Sequence, residues 1–495
     1  MKNTSLEKHF ISLSKDSLIY GLGNAVLAIL MFLTIPVLTR IFSPADYGLI
    51  NFIVSIITFL NLILIFGMDS ATAVSFFQYK KEGKIVVSSG FWFLFFWGLI
   101  ITAIGSLLAA KFSLLLFHNY SNKNYLIIAF FGAYAVLLLN YFKTVFRLEF
   151  KAKYFALTSI VNAVLVVGSI LLFTVFLKLN ILGYFLGSSL GNLISLFLAL
   201  VLVRKNLSFK VSIPRLKQML AYGSLLLPAS VFYYVFDLID RFFINKYWNL
   251  SELGLYAVAI NLTALIGFFS IALSQAWSPF ILKMYFASKN TYKRFVSRIF
   301  IYYLIFFLTL ALLVTIFSNE ILRLLTTPKF FAANRAIIPL SLVMVFLAST
   351  QITVLGISIA RKIKYIAFYS FTAALLNIGL NFLLIPKYGM VGAAWATAIA
   401  YLFLTVIYLI TSQKLIPLAI NWLKIVKLGI LSAAAFSIFP LLWHYSFWIN
   451  FSIKLAEVLT FLTLIYLLGI IEKSEIQSIK LVSARFMLKT LGKVK

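Results

Sequence analysis

Residues 17–39 read SLIYGLGNAVLAILMFLTIPVLT, 23 positions without a charged side chain, and Arg40 closes them. A helix rises ~1.5 Å per residue, so this run can cross a hydrocarbon core about 30 Å thick. A secretory leader has an apolar run of roughly 7–15 residues followed by a small-residue cleavage site. This run is longer and ends in Pro36 and Arg40, so it reads as a retained first span. Runs of the same kind recur at 46–68, 85–110, 124–146, 154–177, 179–203, 218–244, 253–282, 299–319, 336–360, 365–386, 388–413, 428–446 and 449–471. The pattern predicts an all-α membrane protein of 14 transmembrane helices, the last interrupted by Lys454 and Glu457.

Composition agrees. Of 495 residues 63% are hydrophobic and 11% charged, with a mean hydropathy of +1.03. A soluble domain carries about 25% charged residues, so this chain has too few to cover a water-facing globule. Its net charge of +30 raises the question of nucleic acid, because a basic surface is the footprint of phosphate binding. The cations instead sit in short clusters between apolar runs, where anionic membrane lipids attract them, and no nucleic-acid partner is expected. The chain has no cysteine, and its three histidines (His9, His118, His444) lie far apart. Thiol chemistry is excluded, and neither a zinc site nor any other cofactor is expected. There is no Walker-A glycine loop, so ATP is not the expected driver.

The loops set an orientation. With the amino terminus inside, cytoplasmic segments hold 32 of the 43 Lys and Arg residues. Such an excess marks the cytoplasmic side, which predicts a multi-pass protein with both termini cytoplasmic. No outer loop exceeds about 20 residues, too few for an extracytoplasmic domain.

The chain also repeats itself. Tyr20-Gly21 precedes Arg40 by one membrane crossing, and Asp46-Tyr47-Gly48 follows; Tyr222-Gly223 precedes Arg241 at nearly the same distance, and Glu252-Leu253-Gly254 follows. Lys153-Tyr154, Lys178 and Gly183 correspond to Lys364-Tyr365, Lys387 and Gly392. Transporters often contain such repeats. The expectation is an N-terminal lobe over 1–210 and a C-terminal lobe over 211–415, parallel and related by pseudo-two-fold symmetry with a cavity between them. Two extra helices over 416–471 and a basic cytoplasmic tail over 472–495 complete the chain.

The stretch Tyr20-Gly21 to Arg40 with RIFSPADYGL (40–49) resembles the opening of the polysaccharide-biosynthesis flippases, of O-antigen and teichuronic-acid type. These belong to the multidrug/oligosaccharidyl-lipid/polysaccharide exporter superfamily. LIDRFFI (238–244), ELGLY (252–256) and QAWSPF (275–280) resemble that family's seventh and eighth spans. The resemblance implies a two-lobed helical flippase working by alternating access in the bacterial inner membrane, for lipopolysaccharide or a similar surface polymer. The implied cargo is an oligosaccharide on undecaprenyl pyrophosphate. The implied partners are this lipid-linked oligosaccharide, the membrane lipids, and polysaccharide polymerase or assembly proteins.

An ionisable group inside a span is a functional candidate. Asp69 has apolar sequence on both sides, and either faces a cavity or caps the next helical turn. Asp237, Asp240 and Arg241 lie in the seventh span; Asp237 and Arg241, four apart, share a face and can pair. Lys143 and Arg147, also one turn apart, suit a diphosphate or snorkel to headgroups, with Glu149 pairing Lys153. Lys283 and Arg40 are further cations at span ends, as ligands or anchors. Pro36, Pro228 and Pro339 are candidate kinks.

Two other readings compete. A multidrug or cation antiporter of the same superfamily typically has twelve spans, whereas the extra spans and basic span ends here favour an anionic cargo. A membrane glycosyl polymerase would need carboxylates for acid–base work or a metal. Outside the spans the chain offers only isolated acids such as Asp46, Glu252 and Glu320, so no enzymatic activity is expected.

Overall fold

A computed structural model of the chain describes residues 26, 29–438 and 447–471. At residue 80 and at several positions of 228–237, 271–287 and 447–450 it describes the backbone alone. Among these residues all regular structure is helical: α1 (Ile29–Ile41), α2 (Pro44–Ile65), α3 (Met68–Gln78), α4 (Gly83–Leu107), α5 (Ala109–Phe117), α6 (Lys123–Leu148), α7 (Ala152–Leu171), α8 (Asn180–Val203) and α9 (Ile213–Tyr247), then α10 (Leu250–Ala287), α11 (Lys289–Ile316), α12 (Ser318–Leu325), α13 (Ile337–Thr353), α14 (Leu355–Ile359), α15 (Ile363–Leu415), α16 (Trp422–Ile438) and α17 (Phe447–Leu467).

Each apolar segment read from the sequence is mainly helical where it is described, with short breaks such as that at Phe66-Gly67. Nine helical stretches among the described residues are long and apolar enough to span a membrane. The expected fourteen is thus matched to helices rather than established as a number of crossings. Both chain ends, with Tyr20-Gly21 and the basic tail, lie outside the described residues. Pro339 falls in the first turn of α13, where proline fits a helix start, rather than at a kink. The internal break is instead at Gly389 in α15, with φ 56° and ψ −134°. A side chain resists that backbone, and Pro386 precedes it.

By contact the chain forms two compact units. The first comprises residues 1–261, 322–336 and 364–404, and the glycines of the sequence repeat explain much of it. Ser43 caps α2: its hydroxyl accepts from Asp46 N (3.2 Å), and the Asp46 carboxylate accepts from Ser43 N (3.0 Å). Such caps are worth about 1 kcal/mol. The same positions recur at α10, where Asn249 Oδ1 accepts from Glu252 N (2.9 Å). Two residues beyond each acid stands a glycine, and the two glycines meet each other's helix. A Cβ on Gly48 would overlap the Leu250 carbonyl oxygen, and one on Gly254 would overlap that of Pro44. The two copies of the motif therefore cross reciprocally at their first turns, with only hydrogen at the contact.

At the other end of α2, Phe66 and Gly67 both take left-handed backbone (φ 51° and 63°) and separate α2 from α3. A Cβ on Gly67 would lie 2.8 Å from the Gly223 carbonyl oxygen, so α9 passes against this bend. Gly183 and Gly392 also share a role. A Cβ on either would lie 2.7 Å or 2.5 Å from a carbonyl of the preceding helix, Phe173 or Leu384. Each lets a returning helix lie against its predecessor. Nearby, Arg215 donates to both Glu82 oxygens (2.9 and 3.2 Å) and stacks over Tyr79. That guanidinium holds the Glu82 carboxyl below its ordinary range.

The second unit comprises residues 262–321, 337–363 and 405–495. Its core is built on α11, with Phe300, Phe307 and Ala311 packed among Val345 and Ala348 of α13, Leu428 and Ala435 of α16, and Phe461 and Ile465 of α17. The charge that interrupts the last segment is accommodated here. Lys454, 2% exposed, donates to both carboxylate oxygens of Glu320 (2.7 and 2.9 Å).

The orientation has a direct test. Cysteine at Ser121 or Asn249 should label with an impermeant maleimide from outside intact cells, and cysteine at Lys205 or Lys210 only after permeabilisation. All four positions are exposed. Ser88, on the predicted inner side, is buried and accepts from Ser208 N, so it is unsuited to labelling. Labelling at Lys205 in intact cells would reverse the orientation.

Candidate functional site

Among the described residues of the first unit, a buried polar group is centred on Asp240, which is 3% exposed. Tyr256 Oη (2.8 Å) and Thr397 Oγ1 (2.6 Å) donate to its Oδ2, and Asn381 Nδ2 (2.6 Å) donates to its Oδ1. Asn377 links the set, accepting from Asn381 Nδ2 (3.1 Å) and donating to Thr397 Oγ1 (3.1 Å). Local sequence explains how the residues meet. Asn377 and Asn381 are one turn apart on α15, and the break at Gly389 folds the chain back so that Thr397 faces them.

The cluster presents only oxygen ligands: a carboxylate, two amide carbonyls, a hydroxyl and a phenol. Asn381 Oδ1 is buried without a hydrogen-bond partner. An orphaned acceptor beside a carboxylate is costly, and an oxygen-only set suits a hard cation or a proton. With a single carboxylate, a singly charged ion matches the charge of the set.

The other sequence-derived candidates fall elsewhere. Arg241, next to Asp240, points to α2 and donates to Ser55 Oγ, while its Nε is buried without a hydrogen-bond partner. The side chains of Asp237 and Lys283 lie outside the described residues, and with them the proposed Asp237–Arg241 pair. Asp69 sits in the first turn of α3, where a carboxylate complements the helix dipole. Lys143 is half-buried on α6; Arg147, one turn on, is exposed and donates to Thr144 (2.9 Å). Glu149 pairs with Lys151 (2.8 Å) and not with Lys153, because the helix ends at Leu148 and the chain turns. Arg40 is exposed at the end of α1.

The isolated acids have structural partners. Asp46 is a cap, Glu320 holds Lys454, and Glu252 accepts from Arg335 (2.8 Å) and from Met390 N (3.3 Å). Reading the sequence by charge alone missed Tyr256, Asn377, Asn381 and Thr397. The available signal was the pair of amides four apart inside an apolar segment.

The family model for polysaccharide biosynthesis proteins matches residues 13–286, and that for MatE matches residues 226–383. An uncharacterized membrane protein of Methanocaldococcus jannaschii is 26% identical over 269 residues, 52% of this chain and 50% of the relative, so the match spans half the relative's length. Among solved structures, lipid II flippase MurJ in an inward closed conformation aligns with a TM-score of 0.68 at 16% identity, over 92% of this chain and 98% of that one. An inward-facing multidrug resistance MATE transporter of the MOP superfamily aligns with a TM-score of 0.64 at 13% identity, over 82% and 97%. A MOP superfamily transporter from Pyrococcus furiosus aligns with a TM-score of 0.60 at 14% identity, over 81% and 95%. At these identities the likeness is one of fold.

Proposed function

The chain belongs to the polysaccharide biosynthesis protein family of the multidrug/oligosaccharidyl-lipid/polysaccharide exporter superfamily, and from that premise we propose that it flips a polyprenyl-diphosphate-linked oligosaccharide between leaflets by alternating access. In a bacterial inner membrane the carrier is undecaprenyl pyrophosphate, and the oligosaccharide is the repeat unit of a surface polymer such as O-antigen. The family match over 13–286 carries this reading. The proposed path runs between the two parallel lobes, 1–210 and 211–415, that the sequence repeat implies.

Arg40, Lys143, Arg147, Arg241 and Lys283 are the cations proposed to meet the diphosphate on its path, and Asp69 and Asp237 the acids that balance them. Asp240, with Asn377, Asn381, Thr397 and Tyr256, is proposed as the coupling site, where a proton or a monovalent cation exchanges with the present hydrogen bonds. Polymerase and assembly proteins would receive the product outside.

Deleting the gene should leave the lipid-linked repeat unit built but confined to the cytoplasmic leaflet, with surface polysaccharide lost. Radiolabelled lipid extracts and leaflet-selective glycosidase digestion read this. Absence of the lipid-linked unit would assign the protein to synthesis instead. A second reading, a cation-coupled drug exporter, draws on the MatE match over 226–383, which contains Asp240, Asn377 and Asn381. It predicts unchanged surface polysaccharide in the deletion strain and a gain in sensitivity to cationic drugs.

A further inference from the structure

The last apolar segment carries two charged residues, and the second unit gives a close partner to one of them. Lys454 Nζ donates to both carboxylate oxygens of Glu320 on α12 (2.7 and 2.9 Å). Glu457 lies three residues further along α17, on the same side of the helix. It is half-buried, and both of its carboxyl oxygens are buried without a hydrogen-bond partner among the described residues.

Its position makes a bare negative charge costly. Glu457 is the eleventh of the 21 residues of α17, midway between the ends of the helix. A carboxylate taken out of water with neither a hydrogen bond nor a counter-charge is so unfavourable that such a group neutralises instead, and hydrocarbon around a span raises the cost. Glu320 and Lys454 already cancel each other, so an ionised Glu457 would leave the three residues with a net negative charge.

The helices packed against α17 bring no further cation to this level. The contact of Phe317 with Phe451 sets the end of α11 beside the start of α17. From Ile299 to Ile316 α11 has no charged residue, and its Lys289, Lys293, Arg294 and Arg298 stand at the far end. Its Tyr302 lies toward that end too, as does Tyr303, whose hydroxyl engages Ser270 (3.1 Å). No residue of α13 is charged. On α16 the charges are Lys424 and Lys427. Lys427 meets the Leu468 carbonyl (3.1 Å), eleven residues on from Glu457 and about 16 Å along a helix. Arg323 of α12 is exposed.

The same burial selects the species that can neutralise Glu457. Neither oxygen is open to a water-sized molecule, so a hydrated ion has no room there, whereas a proton needs none. We propose that Glu457 is a proton-binding site of the second unit and that Lys454 is its switch. With the proton in place Lys454 stays on Glu320; when the proton leaves for water, Lys454 turns to Glu457 and frees Glu320 on α12. The site lies outside the sequence repeat. It requires neither the cargo nor ion exchange at Asp240, and its failure leaves both of those readings standing.

The test uses the full chain in neutral detergent and infrared difference spectra, which show a carbonyl band for a protonated carboxyl and none for a carboxylate. Wild type minus Glu457→Gln, with Glu457→Met as the reference should the amide not accumulate, should show that band at neutral pH. It should shift in heavy water, vanish at alkaline pH and be unchanged by sodium at constant pH. Glu320→Gln leaves Lys454 to Glu457 and should lower the band about tenfold or more, because an adjacent cation favours the carboxylate. Glu320→Asp keeps the pair and should keep the band. Absence of the band in wild type at neutral pH overturns the proposal, and so does its loss on adding sodium, which would mark a metal-ion site. These two results are decisive whether or not Glu320→Gln accumulates. An undiminished band in Glu320→Gln overturns the switch.

Discussion

If the protein flips the lipid-linked repeat unit as proposed, replacing Gly48 by valine is expected to lower surface polysaccharide about fivefold or more while the protein still reaches the membrane. The β-carbon would overlap the backbone oxygen of Leu250, and backbone cannot swing aside as the tip of a side chain can. Overpacking of this kind costs about 1–3 kcal/mol when the surroundings yield. An alternating transporter balances states separated by only a few kcal/mol, so such a penalty on one state shifts the populations by about fivefold to 150-fold.

Gly254→Val should behave alike, since its β-carbon would strike Pro44 at the same crossing. Combining the two should add little, because either one already parts α2 from α10. Gly168→Val is the control, as nothing lies within 4 Å of a β-carbon there. Surface polysaccharide is measured beside protein level by immunoblot, together with maleimide labelling of cysteine at Ala45, which should rise as the helices part. Full export by Gly48→Val at normal protein level would show that the crossing takes no part in the cycle.

The second large effect is expected at Asp240. Asp240→Asn keeps the shape of the side chain, and the hydroxyls of Thr397 and Tyr256 can turn to accept where they now donate. This variant should therefore accumulate normally and lose most export, on the order of a hundredfold, if the carboxylate exchanges an ion. Asp240→Leu is different in kind. It removes the acceptor shared by Asn381, Thr397 and Tyr256 and puts an apolar group in its place, at about 1–3 kcal/mol for a buried group left unsatisfied. It should be poorly accumulated. Export assays in inverted vesicles under imposed proton and sodium gradients distinguish the coupling ion. Wild-type flux from Asp240→Asn under both gradients would remove Asp240 from the transport cycle and leave it a structural hub.

The α-helical membrane class was legible in the sequence, because uncharged runs of twenty-odd residues have no other stable solution in a bilayer. The glycines that the sequence pattern singled out proved to be contact points: Gly48 with the motif of Gly254, and Gly223 with Gly67. The capping of α2 and α10 rests on residues three apart, within reach of local reading.

Partners across long separations were not legible. Asp240 and Arg241 are neighbours in sequence, yet the ~100° step per residue of an α-helix sends them to different places. Asp240 meets Asn381 and Thr397, 141 and 157 residues onward, and Arg241 meets Ser55, 186 residues back. Lys454 likewise finds Glu320, 134 residues away, and an apparent interruption becomes a partly buried ion pair. Periodicity and charge decide whether a helix forms and which residues share a face. What each face meets depends on packing between distant helices, and the tertiary structure alone decides that.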